Sequence, residues 1–451
     1  MRLLASLLLF VHGAPFVDAQ PKLPNLPPDL MAPTDPLSPE DERKQFAVPP
    51  GFSVQLVASE PDIQKPMQMA WDATGRLWVT TSYHYPFAAT DGKPSDKVFV
   101  LSDFDPNTGK AKTVRTFTAD LNIPIGILPL PDMKSVLVSS VGEIRKYKIS
   151  ETKDGPKADG HEVLFKGFGT RDTHGMYNSY TLMPDGWVHA CHGFANDSTV
   201  KDKSGNEVKM QSGHTFRFKP DGSKLEVWTR GQVNPFGMTV DPWFNLYTAD
   251  CHSKPITQLI PGAHYDSFGK PHDGLGFAPH VTAHSHNSTG LCGLAWYDAD
   301  HFPKDYLGTM FVGNVVTNRI NFDRIEWKGA TPVAKELPDF MTSKDRWFRP
   351  VDIKLGPDGA LYVADFYNKI IGHYEVSLTD PRRDKGRGRL WRIVWTGTDC
   401  KAAPTKFHRA DFTAATDDEL GKDLTHPNLT VRFLAGHQLR QRALDGKKPD
   451  L

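Results

Sequence analysis

A strand, a turn and a second strand recur six times along this chain, and that recurrence constrains the fold more than any other feature. The clearest copy is "PVDIKLGPDGALYVADFYN" (350–368), with β-branched and aromatic residues on either side of a glycine-containing turn. Looser copies begin at Pro66, Pro124, Gly175, Pro235 and Thr289, so successive starts lie 58, 51, 60, 54 and 61 residues apart. Most copies are followed by a further hairpin, as in "TFRFKPDGSKLEVWTR", so each unit supplies about four antiparallel strands, the content of one propeller blade. The expectation is an all-β, six-bladed β-propeller over 51–398. Its last copy is one strand short, and "GFSVQLVASEP" (51–61) alternates like an outer strand that would complete it and leave no open edge. A two-sheet sandwich is the rival fold, but it gives no reason for the period.

The flanks read differently. "MRLLASLLLFVHGAPFVDAQ" has one early positive charge, a short apolar run and small residues before Gln20, the layout of a signal peptide (1–19) cleaved after Ala19. The expected destination is outside the cytoplasm, periplasmic or cell-surface associated, with no transmembrane helix after cleavage; a short uncleaved anchor is the competing reading. Residues 20–50 are proline-rich and read as a linker holding one short helix at "SPEDERKQF", with Ser38 as its N-cap. Residues 399–451 turn to helical periodicity, with Leu429, Phe433 and Leu434 near one face. This resembles the start of HEAT-like repeats, and one such repeat cannot cover its own apolar face.

Lysine plus arginine equals aspartate plus glutamate, 53 to 53, so no global field draws the chain to nucleic acid. Small neutral ligands fit better. Four widely spaced cysteines make no disulfide framework, and the absence of CxxCH means that no covalent haem is encoded. "DFDPNTG" (103–109) begins like a calcium loop, but its glycine falls one place late and Val114 stands where a glutamate is needed. Sequons at Asn196, Asn287 and Asn428 mark polar loops.

In a propeller, residues just before each first strand and just after each second strand converge on one mouth of the channel. The first set is Lys65, Asn122, His174, Asn234, Ser288 and Arg349; the second is His84, Glu143, His192, Asp250, His252, Asn314, Asp365 and Asn368. Such groups can bind and orient a small molecule, although a propeller mouth is polar in any case. His174 can take a proton from a hydroxyl if a carboxylate such as Asp172 or Asp365 fixes its tautomer. The fourth unit replaces its outer hairpin by a long loop, 260–290, rich in glycine, histidine and aromatics. His284 and His286 would share a face there and, with His280, His264 or His272, could bind zinc or copper; hydrogen-bonded histidines are the alternative.

The signatures "DTHGMYNSYTLMPDGWVHACHGF" and "TRGQVNPFGMTVDPWFNLYTADCHSKP" resemble the soluble quinoprotein glucose and sorbosone dehydrogenases. The resemblance implies His174 as the general base for a sugar hydroxyl, Asn234 in the cofactor motif, and pyrroloquinoline quinone with calcium as cofactors; His192, at the same mouth, is counted with the cofactor-binding residues. Roughly residues 40–440 also resemble the membrane-bound-dehydrogenase propeller module of large exported planctomycete-type proteins, which often carry a cytochrome c domain. Two departures stand out. Val233 replaces the cofactor-binding arginine, and "ADCHSKP" replaces the acidic calcium loop. Positive charge for a quinone's carboxylates would then come from Lys254, Arg349 or Arg389.

The leading reading is an exported dehydrogenase for a sugar or related alcohol, with a cytochrome c as electron acceptor. His84, Glu143, Asp250, Asn314 and Asp365 would line its substrate pocket. A non-catalytic carbohydrate- or protein-binding platform is the alternative. A third reading is a metal-dependent site built from Cys251, His252, His280, His284 and His286.

Overall fold

The computed structural model describes Leu26 and residues 30–89, 92–252, 254–372 and 375–447. The expected signal peptide lies outside the described residues. Six sheets follow one another along the chain as propeller blades. Blade 1 runs in order from Pro66–Trp71 through Leu77–Thr81 and Asp96–Phe104 to Ala111–Leu121, and blade 2 from Ile127–Pro129 to Gly155–Lys166. Blade 3 has an extra hairpin, Ser198–Lys201 with Glu207–Met210, inserted between its second and third strands. Blade 4 stops at a two-residue third strand, Thr257–Gln258, and the long loop expected there follows it. Blade 5 gains a fifth strand, Phe46–Ala47, on its outer edge.

Blade 6 closes as expected. Phe52–Ser59 pairs antiparallel with Arg389–Trp395, from Phe52 opposite Trp395 to Ser59 opposite Arg389. The first and last strands of the ring therefore share one sheet, with Phe52–Ser59 as its outermost strand covering the edge of Arg389–Trp395.

The recurring turn residues explain the repeat. At the end of each of several inner hairpins an aspartate folds back on its own backbone: Asp72 Oδ1 accepts from Thr74 and Arg76, Asp132 Oδ1 from Lys134 and Ser135, and Asp241 Oδ1 from Trp243 and Asn245. The second strands are buried along their length, and Val79, Val138, Ala190, Ala249, Val312 and Val363 are all inside. A polar hub joins the blades at the axis. Gln68 Nε2 donates to Ser179 Oγ at 2.8 Å, Ser179 Oγ accepts the Gly237 N–H at 2.8 Å, and Asp352 Oδ2 accepts the Met69 N–H at 2.9 Å.

Two flanking segments pack more closely than the sequence suggests. From residue 30 the proline-rich stretch lies on the propeller and is not a loose linker: Ala32 N–H donates to Lys369 O, Trp347 Nε1 to Thr34 O, and Leu37 N–H to the Tyr367 hydroxyl. Ser38 caps the helix Pro39–Arg43, as expected, and that helix inserts Glu42 into the interior. At the opposite end, helix Leu429–Leu444 covers the lower mouth, with Leu429, Phe433 and Leu434 beside Trp71, Leu182, Val240, Trp296 and Leu355. Its apolar face is covered by the propeller and by the helix Asp417–Asp423 with the segment before it, Leu434 and Leu439 packing with Leu420, Phe412 and Ala73.

Candidate functional site

The upper mouth holds a cavity of about 270 Å³. Its walls are mostly apolar and aromatic, with Met67, Tyr85, Phe194, Phe236, Val351 and Phe366 among them. The polar groups facing it are few: His174, Asn234, Arg349, Asn368, Glu375, Arg383 and the thiols of Cys251 and Cys292, with His252 at the rim. An apolar cleft with a small set of placed polar groups is the usual form of a small-molecule site.

His174 sits on a single 3₁₀ turn, Thr173–Gly175, that leads into the first strand of blade 3. Asp172 caps that turn. Its Oδ1 accepts the His174 backbone N–H at 2.9 Å and lies 3.2 Å from His174 Nδ1, so one oxygen sets both the turn and the ring. Asp172 is buried and held in turn by Asn196, which accepts its N–H at 3.1 Å and donates to its carbonyl at 2.8 Å. The Tyr85 ring meets the imidazole edge-on at 5.0 Å between centroids. Gly175 is dictated by contact: a Cβ there would lie 2.0 Å from Phe194 O. A Cβ on Gly193 would lie 2.2 Å from Asn234 Oδ1. The two glycines let the His174 turn press against the loop that carries Phe194.

Asn234 lines the cavity, and its Oδ1 accepts the Phe194 N–H at 3.0 Å. Arg349 supplies the main charge. Its Nε donates to Asn368 O at 3.2 Å and its Nη1 to Val315 O at 2.6 Å, while Nη2 is buried with no hydrogen-bond partner among the described residues. Burial and the neighbouring Arg346 hold the guanidinium down at about 9, against the opposing pull of Asp365 and Asp345. Lys65, also buried, is treated differently: it is paired with Asp384 at 2.9 Å and bonded to the carbonyls of Phe366 and Tyr367.

Several expected site residues prove to be structural. Arg389 does not reach the cavity; it is fully buried between Glu42 and Glu60, donating also to Leu37 O. His192 has both ring nitrogens engaged, Nδ1 with Gln211 O at 3.1 Å and Nε2 with Ser198 Oγ at 2.6 Å, and burial lowers it to about 4. Asp250 accepts the N–H groups of Val233 and Asn234 at 2.7 and 2.9 Å. Asp365 does the same for Arg349 and Tyr367, at 2.8 and 2.9 Å. These carboxylates tie the end of a second strand to backbone N–H groups, and neither lines the cavity.

Asn314 is buried, bonded to His286 O and Asn321 Oδ1. Glu143 pairs with Arg145 and His84 contacts Ser95, both away from the cavity. Lys254 is half-buried and does not line it either.

The expected metal set also separates. His252 lies at the cavity rim and His280 is exposed elsewhere on the loop, whereas His284 and His286 come together with Glu336. Among the sequons, Asn196 and Asn428 are buried and engaged in hydrogen bonds, so neither presents an amide to solvent. Residues missed by sequence reasoning include Tyr85, Cys292, Phe366 and Arg383. Tyr85 and Arg383 come from loops outside the repeat, so no periodicity points to them.

Fold and site together define a six-bladed β-propeller with a ligand-sized pocket at its upper mouth. Residues 38–397 match the family described as "Domain of unknown function (DUF7133)", and the chain belongs to that family. It is similar to the aldose sugar dehydrogenase YliI of Escherichia coli (strain K12), at 25% identity over 167 residues. That match spans 32% of this chain and 42% of the relative, less than half of its length. Among solved structures, the PQQ-bound form of an aldose sugar dehydrogenase from Streptomyces coelicolor superposes with a TM-score of 0.51 at 16% identity, covering 77% of this chain and 99% of that one. The holo form of the pyranose dehydrogenase PQQ domain from Coprinopsis cinerea gives 0.50 at 12% identity, covering 78% and 97%. These structures share the propeller fold with this chain.

Proposed function

We propose that this chain is an oxidoreductase that oxidises a sugar or related alcohol, with His174 as the general base and a quinone of the pyrroloquinoline type held in the upper cavity. The observation that carries the reading is the pairing, around one pocket, of an imidazole oriented by a buried carboxylate with a buried guanidinium whose Nη2 has no hydrogen-bond partner among the described residues.

The chemistry of the donors fits such a group. Arg349 Nη2 is a buried donor without an acceptor among the described residues, which a ligand carboxylate would satisfy in the charge-assisted manner guanidinium favours. The flat walls formed by Tyr85, Phe194, Phe236 and Phe366 suit a planar ring system. Calcium fits less well. Glu375 is the one carboxylate in the described lining, short of the six to eight oxygens calcium takes.

The quinone, when bound, supplies the two-electron acceptor. The chain supplies the base. An ionised Asp172 can only accept, so His174 Nδ1 carries the hydrogen and Nε2 the lone pair that takes the hydroxyl proton. The positive charge then developing on the ring is offset by Asp172, 3.2 Å away. Aldose and pyranose dehydrogenases among the similar proteins support a carbohydrate substrate. An exported location and a cytochrome c acceptor belong to the same proposal and rest on the sequence reading.

The test is reduction of a redox dye by sugar in the quinone-loaded full chain. Turnover that disappears in His174→Ala while quinone binding persists supports the proposal, and a folded wild type that binds no quinone overturns it.

A further inference from the structure

The loop that replaces the outer part of blade 4 returns to the ring beside blade 5, and its histidines meet two acids there. Asp323 and Glu336 lie opposite each other on the paired strands Arg319–Lys328 and Thr331–Ser343. His284 Nε2 and His286 Nε2 each lie 2.7 Å from a different oxygen of Asp323, and His286 Nδ1 lies 3.1 Å from Glu336 Oε1. We propose that His284, His286 and Glu336 bind a divalent transition-metal ion of the zinc class, through the two imidazole Nδ1 atoms and a Glu336 oxygen, with Asp323 holding both rings from behind. This site is separate from the upper cavity and does not depend on the proposed dehydrogenase activity.

Asp323 is fully buried, and an ionised carboxylate only accepts, so both Nε2 atoms must carry hydrogen. Neutral imidazoles then have their lone pairs on Nδ1. A carboxylate holding the far nitrogen of each ring is the arrangement that orients metal-binding histidines. His286 Nδ1 and Glu336 Oε1, 3.1 Å apart, need a cation between them: a proton on the imidazolium of the metal-free protein, which a metal ion would replace. That separation is close to the edge of a tetrahedron, about 3.4 Å, built from ordinary zinc–nitrogen and zinc–oxygen bonds. One ligand atom from each of His284, His286 and Glu336 can be chosen so that all three lie within 4.8 Å of one another. His284 Nδ1 has no hydrogen bond among the described residues.

Three protein ligands leave a fourth position open, and Glu336, half-exposed, stands on the solvent side. The backbone needs an anchor at this place. His286 and Asn287 have φ of 52° and 50°, in the left-handed region that non-glycine residues seldom adopt. Thr289 and Gly290, just beyond, line the upper cavity, so a metal here would fix one wall of that pocket.

The experiment uses the full chain, stripped with a chelator and titrated with zinc chloride and, separately, cobalt(II) chloride. The expected result is about one zinc per chain and a cobalt spectrum of low coordination number. Glu336→Gln and His284→Ala, both at partly exposed positions that leave the fold intact, should each weaken binding at least 10-fold, and Asp323→Asn by about 10- to 100-fold. Zinc should also raise the melting temperature of the wild type but not of Glu336→Gln. A wild type that retains less than about a tenth of an equivalent overturns the proposal. So does wild-type affinity in both Glu336→Gln and His284→Ala, which would place the metal on other groups.

Discussion

Asp172 Oδ1 lies 3.2 Å from His174 Nδ1 and at the same time accepts the His174 backbone N–H at 2.9 Å. One oxygen thus fixes the position of the ring and its tautomer. Asp172→Asn retains an oxygen for the turn but removes the charge, so the fold and the quinone affinity should stay near wild type while kcat falls by about 10²- to 10⁴-fold. Steady-state dye reduction alongside a quinone titration separates the two quantities.

Arg349 is expected to anchor the anionic end of the cofactor. Arg349→Lys keeps a charge but loses the planar fork, and should weaken quinone binding by roughly 10-fold or more. Lys254→Ala should leave binding unchanged, because that side chain does not line the cavity. Fluorescence or absorbance titration of the three proteins decides between them.

Arg389 makes the opposite prediction. It is enclosed by Glu42 and Glu60 and has no face on the cavity, so Arg389→Met should cost about 3–5 kcal/mol of stability by leaving buried carboxylates without their cation. Denaturant unfolding measures the loss. The quinone affinity of the remaining folded protein should be that of the wild type.

Acid should destabilise this fold through buried histidines. Burial lowers His189 and His192 to about 4 and His214 to about 3, against an ordinary value near 6.5. Between those values the unfolded chain binds more protons than the folded one, so stability rises with pH up to about 6.5 and is lost as pH falls toward 4. His192→Gln, which keeps an acceptor and a donor, should flatten the slope by on the order of 3 kcal/mol across that window. Melting temperatures at several pH values test this.

The ring and its closure were legible because they are periodic. An inner hairpin every 51 to 61 residues, turned by an aspartate or glycine, leaves its mark on composition. His174 was legible for a related reason: the first strand of blade 3 follows it directly, which places it at the mouth. His192, Asp250 and Asp365 also lie at the mouth, at the end of a second strand, yet are held by the scaffold, and Arg389 at the start of a third strand is too, because each has partners that position along a repeat does not specify. Glu42 reaches Arg389 from 347 residues away in sequence. Asp250 and Asp365 are taken up by neighbouring backbone N–H groups, a role that a carboxylate after a strand shares with a ligand-binding one. The partners of His284 and His286 were hidden for the same reason. Asp323 and Glu336 become neighbours only through the register of two blade-5 strands.

The central claim is that the upper cavity binds a quinone and that His174 takes the substrate's proton. Titrating the full chain with pyrroloquinoline quinone, then following sugar-dependent dye reduction in wild type and His174→Ala, tests it most directly. Saturable binding is expected in both proteins and turnover only in the wild type. Absence of binding by folded wild type, or turnover that survives in His174→Ala, would contradict it.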